Sequence, residues 1–312
     1  MSESALPVVA VVGATAAGKS DLALDLALAL GGEVVNTDSM QLYRGMDIGT
    51  AKLPVEERRG VPHHLLDVLE VTASATVAEF QARARAVIAD CHDRGVVPVL
   101  VGGSALYTRA VLDRFEFPGT DPEVRSRLEA ELAERGPEAL HARLARVDPQ
   151  AAAQVLPSNG RRVVRALEVG EITGRPFAAT LPEPEHVLPG TVQVGVDVDR
   201  TLLEERIAAR VDRMWEAGLV AEVEELVGRG LREGRTAHRA LGYRHVLAAL
   251  DGETTMDQAR EQTVTGTRRF ARRQDSWFRK DERVAWVAHD DPRRLERATE
   301  AVRRVSHRVS RR

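Results

Sequence analysis

Short β-branched runs alternate along this chain with longer stretches of helical spacing. Val8-Val9-Ala10-Val11-Val12 is an unbroken apolar run of the kind that forms a strand buried on both faces. From Asp21 onward, Leu22, Leu24, Leu26, Leu28 and Leu30 stand among alanines and predict an apolar helix. Glu33-Val34-Val35-Asn36 predicts a second strand, next to the first in the sheet. "VAEFQARARAVIADCHDRG" has helical spacing and closes at Gly95, and "VVPVLVGGSALYTRAVL" predicts a third strand, a Gly-Gly turn and a helix from Ser104. Strand and helix in alternation are the signature of a doubly wound α/β sheet.

The pattern changes after Pro118. Three or four helical segments follow, separated by Gly-Pro, Asp-Pro and Pro-Ser-Asn-Gly breaks, with no strand among them. Thr191 to Asp199 alternates like a strand, more helices come next, and "RVAWVAHD" predicts a last short strand. The expected organisation is a parallel-sheet core of residues 1–119 and 189–312 with helices in its C-terminal part, interrupted by an all-helical insertion at 120–188.

Composition narrows the class. Among 312 residues, 43% are hydrophobic, which is ample for a core. Cys91 is the only cysteine, so neither a disulfide framework nor a cysteine-based zinc site is expected. The N-terminus lacks the basic and apolar regions of a signal peptide, and no apolar run approaches a membrane span. A soluble, cytoplasmic protein, acting as a monomer and without membrane contact, is expected. From Arg260 to Arg312 there are 16 Lys and Arg against 8 Asp and Glu, in a chain whose net charge is −3. Such a basic end suits either a polyanionic partner or a solvated arginine-rich helix.

The strongest candidate chemistry lies between the first strand and the first helix. Gly13, Ala14, Thr15, Ala16, Ala17, Gly18, Lys19 and Ser20 match G-x-x-x-x-G-K-[ST] in a strand–loop–helix context. Loop amides and a helix N-terminus converge there on one anionic spot, Lys19 adds a charge, and the Ser20 hydroxyl can take a place on Mg²⁺. Only three lysines occur, Lys19, Lys52 and Lys280, against 41 arginines, so a lysine kept at this position carries weight. Asp38 follows the second predicted strand, where open α/β sheets place ligand chemistry. The third strand ends in Gly102-Gly103-Ser104 and offers no carboxylate for a Walker B role. These residues suit a kinase with Asp38 as base, a transferase using another diphosphate donor, or a nucleotide-gated nucleic-acid-binding module.

Seven stretches choose among the three. "GATAAGKS", "NTDSMQLYRGMDIGTAK", "VPHHLLDVLE", "VLVGGSALYTRAVL", "RRVVRALEV", "ALGYR" and "TRRFARRQDSWFR" follow the order found in bacterial tRNA dimethylallyltransferases, and the chain resembles that family from Val8 to about Arg279. The resemblance implies a P-loop NTPase-like fold whose cradle holds dimethylallyl diphosphate rather than ATP, with Mg²⁺ at Ser20. It implies transfer of the prenyl group to N6 of the adenosine 3′-adjacent to the anticodon, in tRNAs reading codons that begin with U. Asp38 matches the family's base. Ser104 stands where the family usually carries Thr, keeping the hydroxyl and losing the methyl. Asp38, Ser39, Met40 and Gln41 are implied to meet the target base, which must be extruded from the anticodon loop. Arg125, Arg161, Arg162, Arg165, Arg272, Arg273 and Arg279 resemble tRNA-contacting positions. Trp277, Tyr107 and Tyr243 are expected to pack, His63 and His64 to play a structural or loop role, and Lys52 either to reach the site or to cap a loop.

Overall fold

The computed structural model describes residues 6–177 and 182–309; Arg311 and Arg312 of the basic segment lie outside them. The chain forms two compact units, one running through Asp113 and resuming at Pro184, the other Arg114–Glu183. Both crossings belong to the first unit because the chain pairs with itself there: Asp113 bridges His186 antiparallel, and the Val187 amide donates to the Leu112 carbonyl at 2.8 Å.

In the first unit six parallel strands, β1 (Val8–Val12), β2 (Gly32–Asn36), β3 (His63–His64), β4 (Val97–Val101), β5 (Thr191–Asp197) and β6 (Val284–Ala288), lie in the order β3-β2-β4-β1-β5-β6. Helices α1 (Lys19–Leu30), α2 (Val77–Asp93), α3 (Ala105–Leu112), α7 (Arg200–Glu216), α8 (Leu219–Gly228), α9 (Leu241–Leu250), α10 (Met256–Phe278) and α11 (Arg294–Val309) complete it. The period of two along β1 divides its side chains between two cores. Val9 and Val11 pack with Leu22 and Leu26 of α1 and Val302 of α11, whereas Val8, Ala10 and Val12 pack with Phe80, Ile88, Leu112 and Phe278. Helices on both faces explain why β1 reads as a continuous apolar run.

Two expectations need correction. The strand before Asp38 is not next to the cradle strand: β4 lies between them. Chain order does not fix spatial order in a doubly wound sheet, and the crossover through α1 leaves a slot that β4 fills. The strand expected at Thr191–Asp199 stops at Asp197, because Asp199 caps α7 by accepting from the Thr201 and Leu202 amides at 2.8 and 3.2 Å. The two-residue β3 is too short to carry a period that the sequence could display.

The second unit consists of α4 (Pro122–Val147), α5 (Pro149–Gln154) and α6 (Gly160–Thr173) around Leu128, Leu140, Leu144, Val163 and Leu167. α4 is broken at Gly136 (φ 79°, ψ 166°) before Pro137, so four helical segments are present, each following a turn-forming residue. Asp121, Asp148 and Asn159 cap three of them.

Candidate active site

Three adjacent strands deliver the site. β1 leads into Gly13–Ser20, β4 into Gly102-Gly103-Ser104, and β2 into Thr37-Asp38, so the Ser104 turn stands between the cradle and Asp38. The cradle's backbone is that of an open anion site. Ala16 and Gly18 have positive φ (63° and 92°), and the Gly18 N-cap of α1 has no side-chain partner, which leaves the first-turn amides for a ligand.

Lys19 is partly exposed at the cradle mouth, and its Nζ donates to the Ala14 carbonyl at 2.7 Å. Surrounding protein pushes the amine down to about 7; Arg210 pushes the same way and Asp38 opposes both. Arg210, from α7, reaches the Thr15 hydroxyl at 3.4 Å, a second cation at the cradle that nothing in its local sequence announces. Ser20 lies exposed in the first turn of α1 and shares the wall of a cavity of about 30 Å³ with Gln41, Asn36 and His63.

Asp38 is held by a buried neighbour. Asn36 accepts the Asp38 amide at 2.8 Å and donates to the carbonyls of Asp38 and Leu65 at 2.9 and 3.0 Å. The carboxylate accepts the Met40 amide at 2.9 Å. Burial raises the Asp38 carboxyl above its usual range, against the hydrogen bonds of Met40 and Gln41 and the charge of Lys19. Such a group binds a proton more strongly than an ordinary aspartate. Ser104 Oγ lies 3.5 Å from the Ser39 amide. The structure therefore brings together the cradle, Asp38, Ser39 and Ser104.

The remaining candidates are engaged otherwise. The Gln41 amide donates to the Thr50 and Ala51 carbonyls at 3.1 and 3.4 Å. Lys52 caps a loop: its buried amine meets the Tyr43 carbonyl, Asp47 and Asp67 at 3.0, 2.5 and 2.6 Å. Glu222 gathers the Asp47, Ile48 and Gly49 amides and the Tyr243 hydroxyl, so the buried Tyr243 also anchors the loop beyond Asp38. His63 and His64 form the edge strand β3. His64, Glu33 and Cys91 converge at the amino end of β2 with ligating atoms within 4.8 Å, but Arg94 holds both Glu33 oxygens at 2.8 and 2.7 Å.

In the helical unit, Arg125 and Arg165 both pair with Glu168, which has no exposed side-chain surface, and Arg165 also donates to the Pro118 and Gly119 carbonyls. Arg161 and Arg162 are exposed in the first turn of α6. On α10, Arg272 and Arg273 are exposed, Arg273 lying 5.8 Å over Phe270. Arg279 pairs with Asp275 and Asp197 and lies 4.6 Å over Trp286. Trp277, expected to pack, is 37% exposed, because it sits off the buried Ala271–Gln274–Phe278 stripe of α10.

A parallel sheet with an amide cradle after β1 and a raised carboxylate after β2 defines a P-loop-type protein built to handle an anionic group beside a base. Known proteins specify the family. A family model described as IPP transferase matches residues 41–281, and the chain belongs to that family. It is 67% identical over 296 residues to a tRNA dimethylallyltransferase of Nocardioides sp., covering 95% of this chain and 96% of the relative. It is 68% identical over 281 residues to one from Streptomyces coelicolor, covering 90% of each. The crystal structure of a full-length tRNA isopentenylpyrophosphate transferase from Bacillus halodurans superposes with TM-score 0.70 at 39% identity, covering 98% of this chain and 97% of the other. A eukaryotic dimethylallyltransferase acting on tRNA gives TM-score 0.82 at 26% identity, covering 98% and 80%.

Proposed function

We propose that this chain is a tRNA dimethylallyltransferase. It takes dimethylallyl diphosphate and the anticodon stem-loop of tRNA, and it works as a monomer. The product is N6-isopentenyladenosine at the position 3′-adjacent to the anticodon in tRNAs reading codons that begin with U. The observation that carries the reading is the convergence of Asp38 and Ser104 beside the Gly13–Ser20 cradle. Among the described residues no helix is long and apolar enough to cross a membrane.

In the reaction the bond between the allylic carbon and the diphosphate oxygen breaks, the electron pair leaves with diphosphate, and the adenine N6 forms the new bond to carbon. The N6 proton passes to Asp38, whose raised affinity for protons suits a base. Cradle amides, Lys19 and Arg210 stabilise the charge that grows on the leaving group. Ser20 offers an exposed hydroxyl at the cradle rim, and β4 is followed by no carboxylate. That arrangement fits Mg²⁺ held chiefly by substrate phosphate oxygens, and a bound Mg²⁺ would supply further charge neutralisation. Arg161, Arg162, Arg272 and Arg273 are exposed and suited to RNA phosphates. The test is incubation of unmodified tRNA with labelled dimethylallyl diphosphate and, in parallel, labelled ATP. Label should enter RNA from the prenyl donor alone; phosphoryl transfer from ATP without prenylation overturns the reading.

A further inference from the structure

Gln274 occupies the buried stripe of α10 between Ala271 and Phe278 and is only 5% exposed. A neutral amide placed there must find partners for both ends, and the two ends point to different loops. Its Oε1 accepts the Thr15 amide at 2.8 Å, and its Nε2 donates to the Gly103 carbonyl at 2.8 Å. Thr15 belongs to the diphosphate cradle. Gly103 belongs to the turn that carries Ser104.

That turn has no slack. A Cβ at Gly103 would stand 2.2 Å from Gln274 Nε2, and a Cβ at Gly102 would stand 2.3 Å from Thr37 Oγ1 and 2.9 Å from the Asp38 amide. The Gly-Gly pair is thus wedged between Gln274 on one side and the Thr37–Asp38 segment on the other. Thr108 reinforces the second side with a 3.1 Å hydrogen bond to Thr37. A mechanical sequence results, running from cradle to Gln274, to the Gly102–Ser104 turn, to Asp38.

We propose that Gln274 is a positioning residue for prenyl transfer, setting the distance between the diphosphate cradle and the Asp38–Ser104 pair. The inference rests on the transferase reading above. Gln274 touches no reacting atom in this role. Only a side chain with a donor and an acceptor on one neutral head serves it. A carboxylate would face the Gly103 carbonyl with no proton to give, and a thioether would leave a buried N–H and C=O unpaired. Because reacting groups held about 1 Å out of place lose on the order of 10²-fold in rate, the loss should appear in the chemical step.

The experiment compares wild type with Gln274→Met and Gln274→Asn, the latter too short to reach both loops. Single-turnover prenyl transfer is measured at saturating substrates, alongside the Kd of inorganic pyrophosphate, the Kd of tRNA and the melting temperature. Gln274→Met should slow transfer roughly 10- to 100-fold, with both Kd values within about 3-fold of wild type. Gln274→Asn should fall between, and it stands in if the Met variant does not fold. In the pair with Ser104→Ala the losses should be smaller than their product, since misplacing Ser104 and deleting its hydroxyl remove the same contribution. A folded variant with wild-type turnover, a loss confined to either Kd, or strictly multiplicative effects overturns the proposal. Absence of RNA prenylation by the wild-type protein would instead sink the transferase reading itself.

Discussion

Arg125 donates from α4 to Glu168 on α6, Nε to Oε1 at 3.2 Å, and the carboxylate it meets has no exposed surface. Burial pushes the Glu168 carboxyl up, and the guanidiniums of Arg125 and Arg165 outweigh it and bring it below the usual range. Removing one partner leaves the charge half compensated. Arg125→Ala should therefore lower stability by about 1–3 kcal/mol, the scale of a hydrogen bond to a buried charge. Urea denaturation measures it. A variant of full stability that binds tRNA more weakly would place Arg125 on the RNA instead.

Asp38→Asn keeps the shape and cannot take a proton, so turnover should fall roughly 10²–10⁴-fold, the scale for a positioned base. Pyrophosphate binding should survive. In the wild type the rate should fall as pH drops below the Asp38 pKa, which lies above the usual carboxylate range. Restoration of the Asn variant by high Mg²⁺ would make Asp38 a metal anchor.

Lys19→Ala should weaken pyrophosphate more than tRNA. The amine, held down to about 7 by burial and Arg210, regains its proton when an anion arrives. Binding above neutral pH should then take up protons, and affinity should decline as pH rises through 7. Calorimetry in buffers of different ionisation heat reads the proton directly; no proton uptake at pH 8 contradicts the assignment.

Neutralising Arg272 and Arg273 together should weaken tRNA binding and flatten its salt dependence, by a slope of about 1 for each phosphate no longer neutralised. Arg279 spends its charge on Asp275 and Asp197. Its loss should change the slope less and the stability more. Equal slopes for wild type and the double variant would confine Arg272 and Arg273 to the surface.

Arg94 holds the Glu33 carboxyl down to about 2, with His64 assisting. A depressed carboxyl stabilises the fold above its unfolded pKa and loses that contribution as pH falls from there through about 2. Glu33→Gln should therefore melt below wild type at pH 7, with the gap closing toward pH 2. A gap independent of pH would mean packing rather than charge.

The cradle was legible because its residues are contiguous and each has a local reason: glycine for φ, lysine for charge, serine at the helix start. The α/β layering was legible from unbroken apolar strands. Gln274 and Arg210 were not, because their partners lie far away in sequence and nothing in α10 or α7 marks them locally. One signal did exist for Gln274, a polar side chain at the i+3 position of an otherwise apolar stripe. Asp38 was placed at a strand end correctly, but its neighbour was not, since the interposed β4 depends on a crossover that sequence order does not encode. The arginines of α4 and α6 looked alike as sequence. The position of Glu168 is what commits Arg125 and Arg165 to the fold.

The three lysines occupy three unlike settings. Lys52 is stapled between Asp47 and Asp67, Lys280 is an exposed side chain, and Lys19 is the one whose amine protein surroundings discharge near neutral pH. An uncharged amine is a nucleophile. An acylating or aldehyde reagent offered at pH 7 meets three lysines and an α-amine, and among the lysines the one standing in the cradle should react fastest. Mass spectrometry of the labelled peptide would then report cradle occupancy, because bound diphosphate both covers Lys19 and restores the proton that makes it inert.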